Sequence, residues 1–112
     1  MQYPSQGDII WVNLNPTRGR EQRGRRPVIV LSATKFNRAT GFVIAVPVST
    51  RDDGSKFNVV VEAGTIGGVA LTMQVRTLDL SIRHFGQTGE RCPLKELVQI
   101  SSIITSYIDV SV

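Results

Sequence analysis

The sequence predicts a mainly β domain, a small barrel or sandwich of five or six short strands with one C-terminal helix. Short apolar runs recur between residues 9 and 80, separated by turn-forming Gly, Pro, Asn and Asp. From Pro93 onward, apolar residues recur instead at three- and four-residue steps, the helical period. The 112 residues suffice for one domain with one core and are too few for two.

Each element is then read in chain order. The residues before Gly7 read as a loose end. Residues 9–14 form a strand. Asn15, Pro16, Thr17, Arg18 and Gly19 turn the chain into a long loop that runs to Arg26. Residues 27–32 are apolar on both faces, which marks a central strand. Residues 42–50 form a third strand, in which Pro47 requires a sheet edge or a bulge, because it cannot donate to a ladder. Residues 51–55 are a polar turn, 57–62 a fourth strand and 63–68 a loop. Residues 69–73 and 74–80 supply the remaining strand material. The helix spans residues 93–109, with Pro93 at its first position. It serves to cover an open edge or barrel mouth.

Composition excludes several classes. Apolar residues make up 41% and charged residues 20%, the balance of a globular protein and not of a disordered tail. No apolar run nears the ~20 residues of a membrane helix. Residues 1–6 show no signal peptide. A single cysteine, Cys92, and a single histidine, His84, rule out an internal disulfide, a multi-cysteine metal site and any two-histidine acid/base scheme. A reducing, cytoplasmic setting is expected, with no metal and no cofactor.

Charge is concentrated. The net charge is +4, and ten of the 13 cations are arginine. Five of them, Arg18, Arg20, Arg23, Arg25 and Arg26, fall within nine residues beside one acid, Glu21, so this segment carries the entire net charge. Arginine's planar fork suits phosphate oxygens, which makes a polyanion the first partner to consider beside a merely solvated loop.

The motifs go further. Residues 7–12 (Gly7, Asp8, Ile9, Ile10, Trp11, Val12), Asn15-Pro16-Thr17, Glu21-Gln22, residues 24–32 around Arg26-Pro27, Phe36-Asn37, residues 46–50, Gly68-Val69 and residues 74–79 follow one another in order and spacing. In this the chain resembles the MazF/PemK/Kid family of toxin endoribonucleases over nearly its whole length. The resemblance implies an SH3-like β-barrel with a C-terminal α-helix and a single domain over residues 1–112. It further implies a homodimer, metal-independent cleavage of single-stranded RNA, and a cognate antitoxin whose acidic segment crosses the basic groove.

Such cleavage uses the substrate's own 2′-hydroxyl as nucleophile. The protein must help remove that proton, stabilise the anionic phosphorane and protonate the departing 5′-oxygen. The products would carry a 2′,3′-cyclic phosphate and a 5′-hydroxyl. Arg26 occupies the family's catalytic arginine position, and Pro27 biases it toward extended geometry. Ser49 falls where many relatives carry a catalytic threonine. Thr50 is the alternative hydroxyl, and strand alternation lets only one of the two face the site. Glu21 either accepts the 2′-hydroxyl proton or pairs with an arginine to order the loop. RNA contacts are expected from Arg18, Arg20, Gln22, Arg23, Arg25, Asn13, Asn15, Thr50, Gln74 and Arg76.

Departures from the family are specific. Where the Kid branch has an aspartate before the glutamine, this chain has Met73, and where it has an arginine nearby, this chain has Leu71. Arg20 replaces that branch's histidine and stays protonated, so it clamps phosphate and cannot act as a base. Asn13 and Asn15 replace common aspartates, which predicts an altered sequence preference. His84 matches no catalytic position. Trp11 and Phe36 are candidates to stack bases, with Trp11 expected in the core. Arg76 and Asp79 are expected to pair at a strand end. Two rival readings are a gyrase poison of the same fold, resembling CcdB, and an RNA-binding module that has lost cleavage.

Overall fold

Pairing of apolar strands builds the molecule outward from its first hairpin. The structure is a computed structural model and describes residues 2–110. β1 (Asp8–Asn13) and β2 (Arg25–Val30) pair antiparallel on either side of the arginine loop. In β2, Val28, Ile29 and Val30 are all buried, so both faces of this central strand carry core, as its continuous apolar run predicts. β3 (Phe42–Ser49), β4 (Val59–Ala63), β5 (Ile66–Ala70), β6 (Arg76–Asp79) and β7 (Phe85–Arg91) complete the sheet. The order is β4-β5-β3-β2-β1-β7, with β6 also paired to β3. The antiparallel sheet curls into a half-barrel, and a C-terminal helix packs on it.

Apolar residues of β1, β2 and β3 alternate between two cores, one on each face. Ile9, Ile29, Val46 and Val48 face one way and pack with Ile100 of α2 (Leu94–Tyr107). Ile10, Val12, Val28 and Val30 face the other way and pack with Val43 and Leu78. In α2, Leu97, Ile103 and Ile104 lie against the first core.

Several elements depart from expectation. β7 is an additional strand; its sequence (Phe85, Gly86, Gln87, Thr88, Gly89, Glu90, Arg91) lacks apolar alternation because it is an edge with no fully buried residue. A short helix, α1 (Thr34–Thr40), precedes β3 and buries only Asn37. There the Asn37 amide donates to the carbonyls of Pro4 (3.0 Å) and Ser32 (3.2 Å) and accepts from the Ser32 hydroxyl. The first residues are therefore no loose end: Pro4 is buried, the Ser5 N–H bonds Asp8 Oδ2 at 2.8 Å, and Tyr3 stacks on Phe85. The stretch expected as a loop at 63–68 already contains the start of β5. Residues 72–74, expected as strand, form a 3₁₀ turn.

Pro47 sits inside a central strand, not at a sheet edge or bulge. β3 lends one edge first to β6, through Ala45, and then to β5, from Val48 onward. The Pro47 carbonyl accepts from the Leu71 N–H on that edge at 3.0 Å. The missing Pro47 N–H falls in the same gap between two partners, where no ladder bond is forfeited. The helix begins at Leu94, with Pro93 as its cap rather than its first residue.

Candidate active site

The loop between β1 and β2 is closed at its base by short-range bonds. The Leu14 N–H bonds the Gly24 carbonyl at 2.9 Å, and the Gly24 N–H bonds Asn15 Oδ1 at 3.1 Å. Gly24 has φ +75°, which glycine alone adopts cheaply. Asn13 Oδ1 accepts from the Asn15 N–H at 2.9 Å. Two arginines then grip the carbonyls of this base. Arg83 donates to Asn13 O (2.7 Å) and Asn15 O (2.9 Å), and Arg76 donates to Leu14 O at 3.2 Å. Burial, and then the nearby Arg83 charge, lower the Arg76 pKa from its ordinary value, with Glu21 opposing. The expected Arg76–Asp79 pair does not form. Three residues apart on a strand, they face opposite sides, and Asp79 instead accepts from the Ser81 N–H at 2.9 Å. Arg83 carried no motif and was not a sequence candidate.

Strand register sorts the two consecutive arginines. Arg25 pairs with Asn13, and its guanidinium lies over the half-buried Trp11 ring at 5.5 Å. Trp11 is thus at the rim of the first core, not inside it. Arg26 points to the other face, in line with Val28. The β2–β3 ladder ends at Val28↔Pro47; beyond it Arg26 pairs with Val12 and Ser49 with Val69, and alternation alone puts them on the Val28 and Pro47 faces of their strands. Arg26 Nε donates to Arg23 O at 2.9 Å, which steadies the guanidinium. Ser49 is buried, and its Oγ accepts from the Arg51 N–H at 3.0 Å. Thr50 follows the strand and is exposed.

The loop crest forms one wall of a groove of about 860 Å³. Arg20, Glu21 and Gln22 face Asp53, Ser55 and Asn58 of the β3–β4 loop. A smaller recess of about 150 Å³ adjoins it. Glu21 and Gln74 line both, and the recess reaches Pro47, on the strand face that carries Ser49. Glu21 Oε1 accepts from the Arg18 N–H at 2.7 Å. Arg23 donates to Gly19 O at 3.3 Å, while the side chains of Arg18 and Arg20 make no hydrogen bond among the described residues and are exposed. Arg26, Ser49 and Glu21 are likewise not hydrogen-bonded to one another; each uses a backbone partner.

Gln74 makes no free display to solvent: it accepts from the Gln22 N–H at 2.6 Å and donates to Arg20 O at 3.3 Å. Met73 is 61% exposed at the groove and Leu71 is buried, so apolar side chains stand at both departures from the Kid pattern. Asp53 is a groove carboxylate that the sequence presented only as part of a polar turn. The Asn58 amide, then the Ser55 N–H, and more weakly the Arg20 charge, hold it below the usual carboxylate range. His84 is exposed between β6 and β7 and lines neither cavity. Phe36 lies on α1, 40% exposed.

The model of the PemK-like, MazF-like toxin family of type II toxin–antitoxin systems matches residues 5–108. The chain belongs to this family. It is 40% identical over 90 residues to the endoribonuclease toxin MazF of Escherichia coli K12, covering 80% of this chain and 81% of that protein. It is 35% identical over 108 residues to the endoribonuclease PemK of Escherichia coli, covering 88% and 80%. The crystal structure of MazF from Deinococcus radiodurans superposes with a TM-score of 0.87 at 34% identity, over 95% of this chain and 96% of that one. A MazE–MazF structure from the same organism superposes with a TM-score of 0.81 at 31% identity, over 97% and 98%. Among the described residues, no helix is long and apolar enough to cross a membrane.

Proposed function

We propose that this chain is the toxin of a type II toxin–antitoxin pair and cuts single-stranded RNA at a short recognition sequence. It acts as a cytoplasmic homodimer without metal or cofactor. The observation that carries this reading is the exposed arginine loop walling a groove, with Glu21 in its lining, in a chain of the endoribonuclease toxin family. The endoribonuclease relatives support the activity, and the MazE–MazF structures support an antitoxin as partner.

The roles follow from the contacts. Arg26 spends Nε on Arg23 O and keeps both terminal NH₂ groups for a phosphate, where they meet the charge that develops in the phosphorane. Ser49 Oγ already accepts from Arg51 and retains its own proton to donate to a phosphate oxygen. Glu21 reconciles its two expected roles: Oε1 orders the loop through the Arg18 N–H, and Oε2 accepts the 2′-hydroxyl proton. The expelled 5′-oxygen takes a proton from water as its bond to phosphorus breaks and leaves as a hydroxyl, opposite a 2′,3′-cyclic phosphate. Arg18, Arg20, Arg23 and Arg25 hold the backbone, while Gln22, Asn13, Asn15 and Thr50 meet bases or sugars. An acidic antitoxin segment competes for the same arginines.

The test is digestion of a long, mixed-sequence RNA in EDTA, beside the Arg26→Ala variant, with product ends mapped. Discrete cuts with 5′-hydroxyl ends, absent in the variant, are expected. Intact RNA from a folded parent protein would refute cleavage and favour the binding-only reading that Met73 and the Ser49 replacement suggest.

A further inference from the structure

We infer that Gln74 is a positioning residue that clips the arginine loop shut around Glu21. The inference rests on the cleavage reading above and assigns Gln74 a role other than contact with RNA.

Two bonds carry it. The Gln74 carboxamide accepts from the Gln22 N–H at 2.6 Å and donates to the Arg20 carbonyl at 3.3 Å. Those backbone groups lie immediately on either side of Glu21. The chain turns at Gly19 and Arg20 and bends at Glu21, which brings both groups within reach of one primary amide, with its one acceptor and two donor hydrogens. Glu21 is thereby held from one side by Gln74. From the other side its N–H bonds Arg18 O at 3.2 Å and its carboxylate caps the Arg18 N–H. Gln74 thus fixes the one carboxylate among five arginines.

The mount of this clip is rigid. Gln74 closes the 3₁₀ turn, its N–H bonding Leu71 O at 2.9 Å. At the head of that turn Thr72 is fully buried. Thr72 Oγ1 donates to Phe57 O at 2.9 Å and accepts from the Tyr107 hydroxyl of α2 at 2.6 Å. The clip therefore ties the exposed crest of the loop to the core, beyond the base that buried Leu14, Arg76 and Arg83 hold. Without it the crest opens more readily, because its arginines repel one another. A base displaced by a fraction of an ångström loses much of its effect.

The experiment compares Gln74→Leu, which deletes both bonds at similar volume, with Gln74→Glu, which keeps the acceptor and loses the donor. Steady-state cleavage of a short RNA carrying a mapped cut site is measured together with amide exchange across residues 18–24. Gln74→Leu is expected to lower kcat by about 10-fold. KM should stay within about 2-fold of the parent's, because phosphate-binding arginines dominate affinity. Exchange at residues 20–22 should accelerate. Gln74→Glu should fall between, with the Gln22 amide still protected, and it carries the test if Gln74→Leu does not fold. A raised KM with kcat preserved would show that Gln74 contacts RNA and would overturn the inference. Unchanged exchange at residues 20–22 would overturn it equally. If the parent cuts no RNA, the cleavage reading fails, and the exchange measurement still decides whether the clip exists.

Discussion

Replacing Gly68 by alanine tests how the strand that carries Ser49 is held. Gly68 lies in β5 with φ +154°, and a Cβ there would stand 2.2 Å from the Ser49 carbonyl oxygen and 2.9 Å from its carbon. Carbon–oxygen contacts of this kind settle at about 3.3 Å, so the strands must part by about 1 Å. The obstacle is backbone, and no rotamer relieves it. β5 meets β3 at Val48↔Ala70 and Ser49↔Val69, the pairs next to the clash. Loosening one or two hydrogen bonds there costs about 1 kcal/mol each. Holding alanine at this φ costs about 1–3 kcal/mol more. The sum is about 2–5 kcal/mol, centred near ~3.5, a large share of the stability of a domain this size. With a urea slope of about 1.5 kcal/mol per molar, the midpoint of denaturation should fall by about 2 M. Turnover of the surviving folded protein should drop as well, because Ser49 moves with its carbonyl. A midpoint within about 0.3 M of the parent, with unaltered turnover, would refute the argument that Gly68 exists to let β5 pass Ser49.

Three further outcomes are expected. Arg26→Ala should lower kcat by about 10²–10³, and Arg26→Lys by about 10-fold, since lysine keeps the charge and loses both the fork and the bond to Arg23 O; equal activity of lysine and arginine would show that charge alone suffices. Thr72→Val leaves the Phe57 carbonyl without its donor and should cost about 2 kcal/mol. Tyr107→Phe costs about 0.5–1 kcal/mol because its hydroxyl reaches water, and in urea denaturation the double variant should lose less than the sum. Burial, and then Glu96, push the Cys92 thiol up from 9.0 to about 11. The folded chain therefore holds this proton more tightly than the unfolded one, and stability should fall as pH rises from about 9 toward about 11. Denaturation of the parent and of Cys92→Ala across that range checks the sign; parallel losses would assign the slope to other groups.

Legibility in the sequence followed burial. β1 to β4 were readable because an apolar side chain must face a core at every second residue, and in Val28–Val30 at every residue. β7 and α1 were not, since an edge strand and a seven-residue helix that buries only Asn37 leave no apolar period. The two glycines of β5, of which Gly68 is needed for close approach to β3, look like a loop when read alone. At the site, Arg26 and Ser49 carried motifs, and alternation along β2 puts Arg26 on the Val28 face and Arg25 on the other. Arg83 and Asp53 were silent, because their contacts run through backbone or across a groove that only tertiary structure creates. Gln74 carried a motif too, and only tertiary structure shows that its amide bonds the Gln22 N–H and the Arg20 carbonyl.

The pairing of β1 with β7 joins Asp8 to Arg91, 83 residues apart. β1 therefore waits for β7 before its second edge is paired. Until β7 emerges, β1 has one open edge, the Cys92 N–H cannot reach the Gly7 carbonyl, and α2 is missing from the first core. Long-range closure of this kind is slow and comes late. A chain cut before residue 85 keeps β1 to β6 and the arginine loop but lacks the edge strand and the helix that close the first core. Closure around β1 is thus the long-range step of folding, and the loop rests on a sheet that is complete only after it.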